Sequence, residues 1–473
     1  MKKILILILF GALSAGAQKI LVTPYLQPGD ASSLSKEQKV VIWQTDSVPG
    51  NFKVEFGEGA SLDQTQKLIT AKVTFVQLRL LGKTTYLYRA TLSKLQFDLE
   101  YTYRVSLGTH VVASNTFMSR TKKPSVRFVA FGDCGTGSPQ QAEIAYRVFQ
   151  RKPQFVLITG DNVYSSGLER EYRSRFFPIY TNVNPSPLTG APLMQSIPFY
   201  MLVGNHDVQA WKLNSHPDGL AFFYYCDLPM NAPKPALTVE AVADPAGLKA
   251  FEKATEGRYP NITNYSFDNG NVHIVCLDAN YYVNPLDLPL MEWLRSDLSR
   301  SKADWKIVSF HNPGFNTSIK HYDDQAMRLL SPLLEEMKVD LVLTGHVHNY
   351  QRTVPLKFDP KKDPTGQHYV MDPSGRVDGV FTLDQKFDGA NNTTPNGIIY
   401  IVTGGGGAVL YDTEISGKPE LWKHQPPENW VPFTVKLVAN IHSYTLIETE
   451  GKKLTLKQFD LKDNEIDGIV ITK

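Results

Sequence analysis

The sequence predicts an α/β domain preceded by an all-β region, and three observations carry that prediction. From Ser125 onward, short apolar runs alternate with segments of helical period, the pattern of buried parallel strands joined by crossover helices. Before that, from Ile20 to about Arg120, strand-like runs follow one another with turns between them and no helical period. The length of 473 residues exceeds what one hydrophobic core usually organises, so two domains are expected. Hydrophobic content of 42% and charged content of 20% fit a folded globular chain rather than a disordered one.

The first residues read as a secretory signal. Met1-Lys2-Lys3 is a basic start, Ile4 to Leu13 is an apolar stretch too short to span a membrane stably, and Ala15-Gly16-Ala17 is a small-x-small cleavage site. Cleavage there leaves Gln18 first, with no cysteine to carry a lipid, and implies a periplasmic or extracellular protein. No later stretch is apolar enough to cross a membrane. Removing Lys2 and Lys3 from the formal charge of +2 leaves 47 basic against 47 acidic side chains. That balance gives no support to nucleic acid or an anionic membrane as a partner. The three cysteines, Cys134, Cys226 and Cys276, allow at most one disulfide, so the core and not cross-links must hold the fold.

The β region is exemplified by Lys39 to Gln44, Phe52 to Phe56, Thr84 to Thr91 and Tyr101 to Leu107, with clear alternation in Thr85-Tyr86-Leu87-Tyr88-Arg89-Ala90. About a hundred such residues suggest a β-sandwich, with Trp43 as a core tryptophan. The run from Leu92 to Val105 resembles the corner segment of fibronectin type III-like domains. Such a module either binds carbohydrate or a partner, or packs against the next domain. Thr121-Lys122-Lys123-Pro124 is the linker, which gives a sandwich over 18–121 and a second domain over 125–473.

In the second domain, Val126 to Phe131 is a buried strand ending in Gly132-Asp133. Ser138-Pro139-Gln140-Gln141 then opens a helix with an N-cap serine, a first-turn proline and a capping-box glutamine. Ile144, Ala145, Val148 and Phe149 recur at helical spacing, and strand Phe155 to Thr159 completes a βαβ unit. Further strands are Phe199 to Val203, Val272 to Leu277, Trp305 to Phe310, Leu341 to Leu343 and Ile398 to Val402. Helices carry Leu290, Trp293, Leu294 and Leu298, and then Met327 to Met337. Val435 to Ile471 reads as antiparallel strands. Two inserts, Trp211 to Asn264 and Leu356 to Asn396, lack clear periodicity; inserts of this kind usually carry specificity or are mobile.

The strand ends are chemically uniform. They deliver Asp133, Asp161, Tyr164, Asn205, His311, His346 and His348, a set of carboxylates, imidazoles, an amide and a phenol suited to Fe, Zn or Mn. Cysteine is not needed, which argues against a closed structural zinc site. In open α/β sheets the carboxyl ends of strands are where ligands bind. Two cations about 3.5–4 Å apart on a shared carboxylate would polarise a phosphoryl oxygen and generate hydroxide at moderate pH.

The ordered set Gly132-Asp133, Gly160-Asp161-x-x-Tyr164, Gly204-Asn205-His206-Asp207, His311 and Gly345-His346-x-His348 resembles that of calcineurin-like metallophosphoesterases. Tyr164, the following Asn349-Tyr350-Gln351-Arg352 and the β region in front narrow the resemblance to purple acid phosphatases. It implies a four-layer α/β/β/α metallophosphoesterase sandwich behind the fibronectin type III-like domain. It implies a ferric ion on Asp133, Asp161, Tyr164 and His348, and a divalent Fe, Zn or Mn on Asp161, Asn205, His311 and His346, with Asp161 bridging. Phenolate suits the trivalent ion and neutral asparagine its less charged partner.

The implied activity is hydrolysis of phosphate monoesters of small molecules, a metal-held hydroxide attacking phosphorus in line. The alternatives are a phosphodiesterase or nucleotide pyrophosphatase on the same centre, and a cell-surface binding protein with a vestigial site. His206 and His321 are candidates to bind phosphate oxygens, His321 also to protonate the leaving alkoxide as a charged or partly charged imidazole. Each could instead be idle: His206 as a loop-fixing group, His321 as an exposed loop residue. His273 reads as a satisfied core histidine, Cys134 and Cys276 as buried thiols, Asp207 as a buttress, and Gly404 to Gly407 as a pocket wall or a tight turn. Gln351 stands where plant-type relatives have glutamate.

Overall fold

The computed structural model describes residues 18–62, 68–423 and 431–473; the export signal read in residues 1–17 lies outside the described residues. The first hundred residues form eight strands: β1 (Ile20–Gln27), β2 (Gln38–Thr45), β3 (Phe52–Glu58), β4 (Ile69–Ala71), β5 (Val73–Leu80), β6 (Lys83–Ser93), β7 (Glu100–Leu107) and β8 (His110–Met118). They make two antiparallel sheets, ordered β1-β2-β6-β5 and β4-β3-β7-β8. Trp43 lies between them fully buried, stacked on Tyr88 with ring centroids 5.1 Å apart. At the corner, the Gln96 backbone N–H donates to Tyr101 Oη at 2.9 Å, a tyrosine pinning the turn ahead of its own strand.

The second region holds two larger sheets. Strands β9 (Ser125–Phe131), β10 (Phe155–Ile158) and β11 (Phe199–Met201) run parallel. Strands β12 (Tyr265–Asn269), β13 (Val272–Leu277), β14 (Trp305–Phe310), β15 (Leu341–Thr344), β16 (Tyr350–Thr353), β17 (Leu356–Pro360), β18 (Gly379–Leu383), β19 (Ile399–Thr403) and β20 (Thr434–Val438) follow. The chain closes with β21 (Ser443–Glu450), β22 (Lys453–Asp460) and β23 (Glu465–Thr472). The sheet orders are β11-β10-β9-β21-β22-β23 and β12-β13-β14-β15-β19-β16-β20, with β17-β18 a separate hairpin.

Alternation along the strands explains the layering. Ile274, Ile307, Leu343 and Ile401 of the second sheet belong to one core with Phe128, Leu157 and Ile447 of the first. Their neighbours Val275, Val308, Val342 and Tyr400 face the other way, onto Leu290, Leu294 and Leu298 of helix Leu288–Arg300. Helix Pro139–Arg151 covers the outer side of the first sheet with Ile144, Ala145 and Val148. The result is the four-layer α/β/β/α arrangement. Strands buried on both faces need no polar alternation, which is why they read as continuous apolar runs.

Several local expectations need adjustment. Ser138 caps its helix through Gln141 N–H at 3.1 Å, but the Gln141 side chain reaches back to Gly137 N–H at 2.7 Å, one residue before the cap. The segment expected as one helix over Met327 to Met337 is a 3₁₀ stretch, Ala326–Leu330, followed by helix Ser331–Glu336; Pro332 accounts for the change. The insert 211–264 contains a helix, Pro245–Thr255, with Asp244 as its N-cap, and the insert 356–396 contains the β17–β18 hairpin. All three cysteines are free and buried. Among the described residues no helix is long and apolar enough to cross a membrane.

Candidate metal centre

Both sheets send their parallel strands toward one edge, and the donors stand there. Asp133 follows β9, Asp161 and Tyr164 follow β10, Asn205 and His206 follow β11, His311 follows β14, and His346 and His348 follow β15. The two edges are stitched together: Gly132 N–H donates to Thr403 O at 2.9 Å and Gly406 N–H to Gly132 O at 3.1 Å. Glycine ahead of Asp133, Asp161, Asn205 and His346 lets the loops nest. A Cβ at Gly204 would lie 2.2 Å from Asp161 Oδ1, and one at Gly160 2.3 Å from His311 Nδ1. Asp133, Asp161 and His346 take left-handed backbone angles (φ 57°, 52° and 65°), a local backbone cost at the site.

The donor atoms meet in three close groups. Tyr164 Oη is 3.2 Å from Asp133 Oδ1 and 3.0 Å from His348 Nε2. His311 Nε2 is 3.3 Å from Asp161 Oδ1, and His346 Nδ1 is 3.1 Å from Asn205 Oδ1. With metal–ligand bonds of about 2.0–2.2 Å, atoms sharing one ion sit about 3 Å apart, so these spacings are also those that ligands of a common ion would have. Asp133, Asp161 and His348 each offer an atom within 4.8 Å of the others, which links the carboxylates across the groups.

The imidazoles are aimed by their far nitrogens. His348 Nδ1 bonds Val409 O at 2.6 Å and His311 Nδ1 bonds Thr159 O at 2.8 Å, leaving each Nε2 lone pair for the centre. His346 is turned the other way, with Nε2 3.5 Å from Asp324 Oδ2 and Nδ1 facing Asn205. Asn312 Nδ2 holds the same Asp324 oxygen at 2.6 Å. Two buried atoms, Asp133 Oδ2 and His311 Nε2, have no hydrogen-bond partner. Left without a partner, each pays its full desolvation cost. Oxygen and imidazole lone pairs converging on one space fit a pair of hard or borderline cations.

The charges say the same. Burial pushes the Asp133 carboxyl well above its usual range, and the neighbouring Asp161 adds to the rise. Burial would raise Asp161 too, but the His311 ring beside it pulls its carboxyl below the usual range. Burial would lower His311; Asp161 and Asp133 outweigh it and raise the ring to about 10. This edge draws positive charge to itself.

All seven sequence-identified donors lie in this edge. Asp207 is the expected buttress, accepting from Gly204 N–H, Asn162 N–H and Nδ2, and Tyr172 Oη. His206 stands at the mouth with Nδ1 on Ser165 O at 2.7 Å and its ring 4.6 Å from that of Tyr164. His321 packs on His346 at 4.3 Å between ring centroids, and its Nε2 is buried without a partner. The charge expected on His321 is opposed here: burial, then Lys320 and His311, lower its pKa to about 4. The glycine run is a wall, since a Cβ at Gly404 would come 2.7 Å from Asp133 Oδ2. Gln351 lies beneath, accepting from Thr317 N–H at 2.7 Å and donating to Asn349 Oδ1 at 3.1 Å. Sequence reasoning missed Asp324, Asn312 and Tyr411, whose ring stacks on His348 at 4.0 Å. Tyr411 follows the glycine run closely, a signal that was available; Asp324 had none.

A family model described as calcineurin-like phosphoesterase matches residues 126–350. Purple acid phosphatase 17 of Arabidopsis thaliana is 30% identical over 258 residues, covering 51% of this chain and 70% of its own length. The chain belongs to the purple acid phosphatase family. Purple acid phosphatase 23 of Arabidopsis thaliana is 26% identical over 312 residues, 60% of this chain, and the chain spans 61% of that relative's length. Among solved structures, a purple acid phosphatase from yellow lupin seeds shares the fold with a TM-score of 0.62 at 15% identity, over 95% of this chain and 74% of that one.

Proposed function

We propose that this protein hydrolyses phosphate monoesters of small molecules at a binuclear metal centre. Asp133, Asp161, Tyr164 and His348 would hold a ferric ion, and Asp161, Asn205, His311 and His346 a divalent Fe, Zn or Mn, with Asp161 common to both. The reading is supported above all by the ligand-to-ligand spacings among seven donors and by the unpartnered Asp133 Oδ2 and His311 Nε2. When bound, such a pair supplies Lewis-acid polarisation of the phosphoryl group and a nucleophile at moderate pH.

The chain's own residues do the rest. His206, part-exposed beside Asp161, and His321, beside His346, bind phosphate oxygens at the mouth. His321 Nε2, buried and without a hydrogen-bond partner, would serve that binding as a neutral imidazole, since burial, Lys320 and His311 oppose its protonation. The glycine wall and Tyr411 exclude water from the far side. Residues 1–17, read as an export signal, put the reaction outside the cytoplasm.

The test is metal analysis of the purified protein with its visible spectrum. A phenolate–ferric pair gives a charge-transfer band that Tyr164→Phe removes; an unchanged band in that variant disproves the tyrosinate assignment. Turnover of p-nitrophenyl phosphate should exceed that of bis-p-nitrophenyl phosphate, and the reverse order favours a diesterase.

A further inference from the structure

One cluster of charge lies beside the donor set without belonging to it. The chain from Glu169 to Tyr180 is a short helix, Glu169–Glu171, a π-helical turn, Tyr172–Phe176, and a second short helix, Phe177–Tyr180. Tyr172 and Phe176 are buried in the core, which turns Arg170, Arg173 and Arg175 outward. With Ser165, Ser174, His216 and the acidic Glu171 they line a surface pocket of about 600 Å³.

Each arginine has an acidic neighbour: Asp218 at 2.7 Å from Arg170, Glu169 at 2.7 Å from Arg173 and Glu171 at 3.9 Å from Arg175. The pairs are layered. The three carboxylate side chains are 0%, 4% and 9% exposed, the three guanidinium side chains 49%, 33% and 44%. The carboxylates are also occupied from below. Glu171 accepts the N–H groups of Ser165, Ser166 and Leu168, and Glu169 accepts from Gln44 Nε2 and Tyr225 Oη. The pocket therefore shows solvent mainly N–H and O–H donors, with the compensating negative charge underneath. Guanidinium groups presented this way suit phosphate.

The pocket shares a wall with the metal donors. Arg175 donates to the Tyr164 carbonyl, and Ser165 O holds His206 Nδ1 at 2.7 Å. A phosphate ester seated at the strand ends with its leaving group toward His206 would bring the far end of that group over Ser165 and into the pocket.

We propose that this pocket is a subsite for a second anionic group, so that the protein favours small phosphate esters carrying another phosphate. The proposal rests on the phosphatase reading above and names its substrate class. The experiment compares fructose 1,6-bisphosphate with fructose 6-phosphate, each kcat/KM normalised to that of p-nitrophenyl phosphate. The metal-loaded protein should prefer the bisphosphate roughly tenfold, mainly through KM, as one charge-assisted contact pair allows. Arg173→Gln should cut that preference several-fold, and Ser174→Glu, which adds a negative charge at the exposed rim, should abolish it. A ratio near one in the unaltered protein, or one that neither variant moves, overturns the proposal. Should p-nitrophenyl phosphate not be turned over at all, the phosphatase reading fails on its own. The Kd values of the two sugars, measured by calorimetry on the same proteins, then decide the subsite by the same ratios.

Discussion

Buried charge is handled in opposite ways at two places in this molecule. Where the β-sandwich meets the catalytic layers, Glu37 is fully buried between Lys39 and Arg120. Arg120 spends its five N–H donors on five oxygens: Glu37 Oε2 and the carbonyls of Ser32, Ser33, Lys36 and Asp268. Asp268 in turn holds His273, which also bonds Asp297 at 3.0 Å. At the strand ends the reverse holds: carboxylates crowd together, Asp133 Oδ2 has no hydrogen-bond partner, and His311 Nε2 has only Asp161 Oδ1, 3.3 Å away. Polar groups that are buried and satisfied hold domains together. At the strand ends the unsatisfied pair instead faces the space where the other donors converge.

The contrast can be broken from either side. The largest effect should come from Asp161→Asn, which removes the shared carboxylate: kcat for p-nitrophenyl phosphate should fall on the order of a thousandfold with metal content, while circular dichroism stays unchanged. Glu37→Gln should do the opposite. Leaving Lys39 and Arg120 buried without their anion should cost about 3–5 kcal/mol in urea unfolding, with little change in kcat of the folded fraction.

His273 sharpens the comparison through pH. Burial alone would lower its pKa, but Asp268 and Asp297 raise it to about 9 from 6.5. A raised histidine contributes its stability in full below about pH 6.5 and loses it as pH climbs through about 9, a change of ~3 kcal/mol at most. Unfolding free energies at pH 6 and pH 9.5 should therefore converge in His273→Gln relative to the unaltered protein. The smallest effect belongs to Asp324→Asn, which keeps the shape but weakens the hold on His346 Nε2. Affinity for the divalent ion, read by competition with a chelator, should drop roughly tenfold with the fold and the visible band intact.

Much of the centre was legible because its chemistry sits at predictable places. Asp133, Asp161, Asn205 and His346 each follow a glycine at the end of an apolar run, and parallel strands can gather such ends only along one edge. Asp324 was not legible, since its meaning depends on a histidine reached from another strand. Helix Pro245–Thr255 carried its start signal in Asp244-Pro245, but its few core-facing residues, Phe251, Ala254 and Thr255, gave too weak a period inside an aromatic-rich insert. The arginine pocket was invisible for a related reason: a π-helical turn sets its spacing, and no period of 3.6 or 2 picks those residues out.

The pairing of β9 has a consequence in time. The strand that delivers Asp133 bonds β10 on one side and β21 on the other, Ala130 standing opposite Thr445 and Phe128 opposite Ile447. A ribosome releases β9 early and β21 near the end, so through most of synthesis that strand has a bare flank. Loop closure over such a span is slow. Closure of the sheet that carries Asp133 therefore waits for β21, and a chain cut short before Ser443 would keep all seven candidate donors while leaving β9 bare on one flank.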